Sequence, residues 1–452
     1  MTTLARKIAR WVAQLSYDAL PAAAIHEAKR RVLDSIGCAL GAYRSDPARI
    51  AREVALSAPD PKGASIWGTR LRSRPDYAAF ANGAMVRYLD FNDTYLSLEP
   101  AHPSDNIPAA TALAQAAGLG GKDAILALII GYEIQCRHCD AASLRAYGWD
   151  HVTYGALSTA MAAGKLWGLD EDALEHALGL AGVCNIATRQ TRTGHISMWK
   201  ACAFSNAARN GIFAADLARR GMSGPPEIYE GPKGIFKQLT GPFDLKLASD
   251  ADFMINRTYI KYWPAEYHAQ SAIDAMLQLR PQIQGRPIRS IHIESFEAAV
   301  SIIGSEREKW RPTSRETADH SMPYCVAVAL LDGDVTLNSF DETRLGDPKI
   351  LALLEKTTIA EAPELNSGYP EGIPNRLKIT VEDGSVLDKR VDYPRGHARN
   401  PMTDDEVITK FKQLAAGVVS DATADAIIGH CMNLDTLHDL APLFEFEVLK
   451  ST

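Results

Sequence analysis

Helical periodicity runs through the first 250 residues of this chain and limits what the chain can fold into. Between positions 21 and 42, apolar residues recur every three or four positions, which is the spacing of one face of an α-helix. They are Ile25, Ala28, Val32, Ile36 and Leu40. The same spacing recurs over residues 76–89, 107–117, 122–143, 153–167, 172–181 and 197–220. Glycine or proline lies in several of the intervening turns. The pattern predicts a large all-helical domain.

A different pattern begins near residue 285. Residues 290–295 alternate apolar and polar side chains as a half-buried strand does, and residues 376–382 and 386–391 flank an Asp-Gly pair that favours a tight hairpin turn. Helical patterns surround these strands, over residues 318–331 and 348–354. Helices return after Pro401, where Thr403 and Glu406 form a capping-box pattern. The sequence therefore predicts a mainly α protein. Residues 1–258 and 400–452 form its all-helical domain, and residues 259–399 form a smaller inserted α+β domain.

Charge and composition exclude several classes of protein. The 48 Lys and Arg residues are outnumbered by 55 Asp and Glu residues, and the net charge of −7 argues against a nucleic-acid partner. No apolar run approaches the roughly 20 residues that a membrane-spanning helix needs. The first ten residues lack the basic-then-apolar order of a secretory signal. Seven widely spread cysteines do not form a disulfide framework. We expect a cytoplasmic protein that binds neither nucleic acid nor a membrane.

The densest polar cluster lies in residues 90–106, directly after a predicted helix. It contains Asp90, Asn92, Thr94 and His102, and loops held by rigid helices are where functional groups concentrate. Two other interpretations stay open. Asn92 and its neighbours could simply turn the chain while His102 lies in solvent, or the carboxylates and the imidazole could bind a divalent ion. No ligand spacing in the segment specifies a metal.

Cys136 and Cys139 superficially suggest a zinc or redox site. A zinc site needs about four ligands, and no second Cys or His pair follows at a suitable spacing. A three-cysteine iron–sulfur cluster also lacks its third nearby cysteine. Because both residues fall within the helix predicted over 122–143, we interpret them as thiols that pack in the helical domain.

Basic residues gather before the helix predicted over 197–220. Arg189, Arg192, His195 and Lys200 could form an anion-binding corner near the N-terminus of that helix. The alternative is a solvated loop with one lysine whose aliphatic stem packs against the protein.

Two further clusters combine imidazoles with aromatic side chains. One runs from Lys261 to His268 and the other from Asp319 to Tyr324. A single histidine beside aromatic rings is more often a buried core residue than a catalyst, but several such clusters at helix starts and loops favour a common site. The chain has no dinucleotide-binding glycine motif, P-loop or nucleophile elbow. These observations favour cofactor-free acid–base chemistry on a small acid.

Taken together, these segments resemble the MmgE/PrpD family, which includes 2-methylcitrate dehydratase, cis-aconitate decarboxylase and iminodisuccinate epimerase. The segments that carry the resemblance are 89–96 with 102–106, 131–135, His151, 261–270, Asp319-His320 with Tyr324, and 393–399. They span most of the chain, and Asp-Phe-Asn-Asp-Thr followed by His-Pro-Ser-Asp-Asn is a specific pairing.

The resemblance implies a large helical domain, a smaller α+β lid, an active site in the cleft between them, no metal or other cofactor, and a homodimer. It implies a hydro-lyase that removes water from a small tricarboxylate resembling 2-methylcitrate. The catalytic residues it implies are Asp90, Thr94, His102, His151, Lys200 and Tyr324. Lys261 and His268 are further candidates that it implies, and together with Asn92 and Arg192 they are the substrate-binding residues that we predict.

Roles follow from what the resemblance implies about the reaction. Lys200 and Arg192 would bind substrate carboxylates, and His102 would be the leading acid–base group, oriented by Asp90 or Thr94. His151 and Tyr324 would be the second proton carrier or carboxylate ligands.

Three alternatives to the dehydratase remain open at this point. The same proton-abstraction machinery serves a decarboxylase or an epimerase of a related polycarboxylate. A helical scaffold without activity would keep the fold alone, and an iron–sulfur hydratase would use Cys136 and Cys139.

Overall fold

The computed structural model describes residues 2–193, 196–249, 251–283 and 285–450. The chain divides into two compact units, one made of Met1–Thr258 with Thr403–Thr452 and the other of Tyr259–Met402. Helices dominate, and the strands form one two-stranded and one four-stranded sheet in the described chain. The predicted fold class, mainly α with a smaller sheet-containing domain, is confirmed.

Within the described residues, the first unit begins with nine α-helices and a short antiparallel strand pair. They are α1 (Leu4–Gln14), α2 (Ala22–Ala42), α3 (Asp46–Leu56), β1 (Pro59–Ser65), β2 (Arg72–Ser73), α4 (Pro75–Tyr88), α5 (Ile107–Ala116), α6 (Gly121–Ala141), α7 (Thr153–Leu166), α8 (Glu171–Cys184) and α9 (Trp199–Arg219). The helices lie close to the predicted positions. The β1–β2 pair was not predicted.

Helix α9 packs closely against α4 and α7 because small residues line the contacts. A Cβ atom on Gly83 of α4 would lie 2.5 Å from the Ser205 hydroxyl oxygen, and one on Gly211 would lie 2.5 Å from the Ala156 carbonyl oxygen. Glycine is therefore required at both positions for this helix spacing. The close packing fixes the N-terminus of α9, which carries Lys200, relative to the C-terminus of α4.

The second unit is an α+β arrangement around a four-stranded sheet. Its elements are α10 (Gln270–Ile283), β3 (Ile288–Ser295), α11 (Glu297–Ile303), α12 (Arg307–Trp310), α13 (Arg315–Ala318), α14 (Met322–Asp332), α15 (Glu342–Leu345), α16 (Pro348–Leu354), β4 (Thr357–Glu361), α17 (Pro363–Asn366), β5 (Asn375–Val381) and β6 (Val386–Val391).

The strand order is β4-β3-β5-β6, with β3 and β4 parallel and the other neighbours antiparallel. Alternate side chains of β3 and β5 are fully buried, including Ile291, Ile293, Leu377 and Ile379. This is the period-two pattern that the sequence predicted, and α10 packs against β5 and β6. The helix predicted over 318–331 begins only at Met322, because the Ser321 hydroxyl accepts the Tyr324 N–H and caps a new helix there.

After the second unit, the chain returns to the first unit as α18 (Asp404–Ala415), α19 (Asp421–Met432) and α20 (Ala441–Phe444). The predicted capping box at the start of α18 is present, with Thr403 and Glu406 each bonding to the other's backbone N–H. Helix α18 packs on α2. Among the described helices, none combines the length and the apolar character required to cross a lipid bilayer.

Candidate active site

Asp90 lies just beyond α4, where the chain turns into a buried loop. Its φ of 51° is in the left-handed region, which is uncommon for a residue other than glycine. Arg87, in the last turn of α4, donates from Nη1 to Asp90 Oδ1 at 2.6 Å, and Lys200 Nζ lies 3.2 Å from Asp90 Oδ2. Two cations therefore hold one buried carboxylate in a strained backbone position, as is frequent at functional sites.

His102 shares this set of contacts. Its Nδ1 lies 2.8 Å from the Asp93 carbonyl oxygen, which can only accept, so Nδ1 carries the proton in this pair. Its Nε2 lies 2.9 Å from Arg87 Nη2, which can only donate, and 3.8 Å from Asp90 Oδ1. The geometry is that of a neutral imidazole whose Nε2 lone pair points to the Arg87–Asp90 pair.

A buried network behind His102 fixes the loop. Asp93 accepts the Ser104 N–H at 2.8 Å and the Tyr132 hydroxyl at 2.7 Å, and Arg31 of α2 lies 3.7 Å from it. Burial raises the pKa of Asp93, while Arg31 acts in the opposite direction. Because Asp93 also offers its carbonyl oxygen to His102, this network sets the orientation of the imidazole.

Two of the sequence-predicted residues contact this loop itself. Thr94 donates from its hydroxyl to the Ala101 carbonyl oxygen at 3.1 Å. Asn92 donates from its amide to Ser104 Oγ and to Asp105 Oδ1, both at 2.9 Å. These contacts hold the two ends of the loop together.

Asp105 lies beside the site on the same loop. Its Oδ2 is 3.9 Å from Arg87 Nε. Burial raises the pKa of Asp105 to about 7, and Asp93 adds to the effect while Arg87 opposes it.

His151 forms a second carboxylate–imidazole pair, at the start of α7. Its Nδ1 lies 3.0 Å from Asp150 Oδ1, and Arg192 Nε lies 3.0 Å from Asp150 Oδ2. Burial and the charge of Arg192 lower the pKa of His151 to about 4, so the imidazole is neutral at neutral pH. Burial opposes ionisation of Asp150, but Arg192 and His151 outweigh it and hold the pKa of Asp150 well below its usual range.

The two imidazoles are neighbours. The ring centroids of His102 and His151 are 5.9 Å apart, and the rings are tilted by 61°. Arg87, Lys200 and Arg192 bring three positive charges to Asp90 and Asp150. The arrangement can move protons at two nitrogens and attract an anion, since desolvated guanidinium and ammonium groups bind carboxylates strongly.

The second unit carries its own polar cluster. His268 Nδ1 lies 2.8 Å from Glu266 Oε1, and the neighbouring residues Asp319 and His320 form a similar pair. Burial raises the pKa of Glu266, but His268 and His320 outweigh this and lower it to about 2. In the described chain, the buried Nε2 of His268 has no hydrogen-bond partner. Lys261 is also buried in this unit.

Tyr324, on the first turn of α14, is fully buried in the second unit. Its hydroxyl donates to the Ser339 carbonyl oxygen at 2.7 Å, and burial raises its pKa.

The structure thus brings together Asp90, His102, His151, Lys200 and Arg192 in the first unit. The proposed anion corner is divided, because Arg192 contacts Asp150 while Lys200 contacts Asp90. His195, its fourth member, lies outside the described residues.

Sequence reasoning missed Arg87 and Asp150. Arg87 precedes Asp90 by three positions at a helix end, and Asp150 is the immediate neighbour of His151. These two short distances along the chain, from Arg87 to Asp90 and from Asp150 to His151, were the sequence signals that could have identified the two residues.

The cysteines stand apart from this site. Cys136 and Cys139 are free and fully buried in α6, and burial raises the pKa of both thiols well above the usual value. Across the described residues, no group of three or more His, Cys, Asp or Glu side chains is placed to hold a metal ion.

Comparisons with known proteins cover nearly the whole chain. Residues 6–248 match the MmgE/PrpD N-terminal domain, and residues 263–434 match the MmgE/PrpD C-terminal domain. A 2-methylcitrate dehydratase of Cupriavidus necator is 33% identical over 416 residues, which are 85% of this chain and 84% of that protein.

Two other relatives have similar coverage. A 2-methylcitrate dehydratase of Escherichia coli K12 is 29% identical over 88% of this chain and 87% of its own length. A cis-aconitate decarboxylase of Homo sapiens is 28% identical over 93% of this chain and 89% of its own length. With both of its units matched in order, this chain belongs to the MmgE/PrpD family.

Proposed function

We propose that this chain is a cofactor-free lyase that removes water from a small tricarboxylate resembling 2-methylcitrate. The observation that carries the proposal is the pair of imidazoles of the partly exposed His102 and the buried His151, whose ring centroids are 5.9 Å apart among three cationic side chains. The relatives named 2-methylcitrate dehydratase, at 29% and 33% identity, support the substrate class.

His151 is the proposed base. Its proton-bearing Nδ1 faces Asp150, which would stabilise the imidazolium as it forms. The low pKa keeps Nε2 unprotonated at neutral pH, and Arg192 Nη2 makes only a long contact with it, at 3.5 Å. Nε2 takes a proton from the carbon next to a substrate carboxylate. The electrons of that C–H bond then form the new C=C bond as the hydroxyl group leaves.

His102 is the proposed acid. A bound polycarboxylate favours the charged imidazolium form of a neighbouring histidine, and that form donates its proton to the departing hydroxyl, which leaves as water. The proton gained by His151 returns to His102 through solvent, so the net reaction is the loss of one water.

The cations stabilise the negative charge that develops on the substrate. Removing a proton next to a carboxylate places charge on the carboxylate oxygens, and Lys200 and Arg192 are the proposed ligands of those oxygens. Arg87 and Asp90 hold Lys200 and His102 in position. Thr94 acts through the loop, since its hydroxyl bonds to the Ala101 carbonyl.

For the remaining residues that the sequence predicts to be in the site, we propose the following roles. Asn92, Lys261 and His268 are proposed to assist substrate binding, and Tyr324 is the proposed further proton carrier or carboxylate ligand. For Tyr324 the role requires that its hydroxyl leave the Ser339 carbonyl oxygen. A Tyr324→Phe variant with parental kcat and KM would exclude it.

We also propose a cytoplasmic homodimer. The apolar side chains of Ile50, Val54, Met198 and Trp199 are exposed around a groove of about 410 Å³, and contiguous exposed apolar surface marks interaction sites. Light scattering should give the mass of two chains for the parent and of one chain for Ile50→Glu. A parent that stays monomeric at all concentrations would exclude the dimer.

Decarboxylation is the second candidate, because a relative named cis-aconitate decarboxylase covers 93% of this chain. Both candidates, and an epimerase, are tested by incubating the protein with 2-methylcitrate, citrate, cis-aconitate and related acids. Mass spectrometry of the products separates them. Dehydration forms a conjugated alkene with loss of one water, decarboxylation releases carbon dioxide, and epimerisation leaves the mass unchanged. If no acid reacts, a scaffold without activity becomes the better interpretation.

A further inference from the structure

Arg189 lies beside the chain segment that leads into Asp150 and the proposed base, His151, but takes no part in the contacts described so far. It begins a 3₁₀ turn, Arg189–Arg192, that follows a short antiparallel bridge. In that bridge the Arg189 N–H donates to the Gly148 carbonyl oxygen at 3.0 Å and the Asp150 N–H donates to the Ala187 carbonyl oxygen at 2.8 Å. The backbone of Arg189 is therefore fixed beside the Asp150–His151 pair.

The side chains of Arg189 and Arg192 project from the same edge of this turn. In a 3₁₀ helix, residues three positions apart eclipse each other. Arg192 is neutralised by Asp150, with 3.0 Å between Nε and Oδ2. By contrast, no carboxylate of the described chain forms an ion pair with Arg189, and its guanidinium makes no hydrogen bond there.

The surroundings of Arg189 are electrostatically unfavourable for a cation. Burial lowers its pKa, and the like charges of Arg145 and Arg192 lower it further, while Glu99 and Asp150 act in the opposite direction. Glu99 is already engaged, since it accepts the Ser143 hydroxyl at 3.0 Å and the Arg145 N–H at 2.9 Å. A half-buried guanidinium among other cations, without an anion of its own, is a binding group for an anionic ligand.

We propose that Arg189 binds one carboxylate of the substrate and makes the site prefer tricarboxylates to dicarboxylates. The inference rests on the proposed function, in that the ligand is taken to be a polycarboxylate at His102 and His151. Lys200 and Arg192 each already form an ion pair with one buried carboxylate of the protein. The forked guanidinium of Arg189 therefore provides the additional N–H donors that a third substrate carboxylate requires.

Two unreactive ligands test this directly. Tricarballylate has three carboxylates on a three-carbon chain and no hydroxyl to lose, and glutarate is the same skeleton without the central carboxylate. Binding of each is measured by calorimetry to the full-length parent, Arg189→Gln, Arg189→Lys and the surface control Arg49→Gln, whose arginine is 51% exposed.

Arg189→Gln should weaken tricarballylate binding about 10- to 100-fold, the range for losing charged hydrogen bonds, and change glutarate binding less than about threefold. Arg189→Lys should give an intermediate loss of tricarballylate affinity, because lysine keeps the positive charge but lacks the paired N–H donors of the guanidinium. Equal loss for both ligands, no loss for either, or no binding of tricarballylate by the parent would overturn the inference. A selective loss in a protein that dehydrates none of the acids would leave this inference standing and refute the proposed dehydratase.

Discussion

Removing the charge of Asp150 is the most informative single perturbation of the site. Asp150 is fully buried and is 3.0 Å from both His151 Nδ1 and Arg192 Nε. Asp150→Asn keeps the size of the side chain but leaves Arg192 without its counter-charge. Breaking a buried ion pair costs about 3–5 kcal/mol. Because the Arg192 side chain is still 14% exposed and solvent screens its charge, we expect a smaller loss, about 2–3 kcal/mol.

The direction of the Asp150 pKa shift determines how the difference in stability between the parent and Asp150→Asn depends on pH. The pKa of Asp150 is depressed in the folded state, so its contribution to the free energy of unfolding is fully present above the unfolded pKa of about 4 and is lost as the pH falls. The difference between the parent and Asp150→Asn should therefore be constant near neutral pH and begin to close below about pH 5.

Urea unfolding followed by circular dichroism measures this difference at each pH, with Asp172→Asn, an exposed surface carboxylate, as the matched control. The variant should also lose about 10²- to 10⁴-fold in kcat, the usual contribution of a positioned acid or base. An Asp150→Asn protein within about 1 kcal/mol of the parent, or a difference that does not change with pH, would refute the electrostatic reasoning.

Three further predictions concern buried groups of the first unit. Lys410→Met should lower the free energy of unfolding by about 3–5 kcal/mol, because Lys410 Nζ lies 2.6 Å from the buried Asp34, and adding Asp34→Leu should recover part of the loss. Failure of the second change to recover any stability in urea would contradict this. The raised pKa of Asp105 means that the folded state holds a proton that the unfolded chain releases between about pH 4 and 7. Parental stability should therefore fall relative to Asp105→Asn by about 1.4 kcal/mol per pH unit in that window as the pH rises, and parallel curves would contradict it. Cys136→Ala with Cys139→Ala should retain parental kcat, and loss of activity together with loss of bound iron would instead support the iron–sulfur alternative.

Elements with a regular pattern were predicted well from the sequence. The apolar stripe over 21–42 corresponds to α2 (Ala22–Ala42), and the Asp-Gly hairpin corresponds to β5 and β6. The β1–β2 pair was missed because β1 contains prolines and a glycine and has no alternation of apolar side chains. The boundary at Ser321 was missed because Ala318 and the apolar residues that follow Ser321 are compatible with one continuous helix.

The residues of the candidate site could be predicted only in part from the sequence, for a related reason. Asp90, His102 and His151 stand in polar segments and attract attention in the sequence alone. Arg87 lies inside a helical pattern, where a charged residue usually marks the solvated face, yet it is only 3% exposed. Its burial depends on α4 packing among distant segments of the chain, and local sequence does not contain that information.

The rates of two histidine variants on 2-methylcitrate test the central claim most directly. Alkene formation, followed by ultraviolet absorbance, is measured for the parent, His102→Asn, His151→Gln and the exposed control His26→Gln. The parent and the control should react at the same rate, and each site variant should lose about 100-fold or more in kcat while binding tricarballylate within about fivefold of the parent. Site variants that dehydrate 2-methylcitrate at the parental rate would contradict the account.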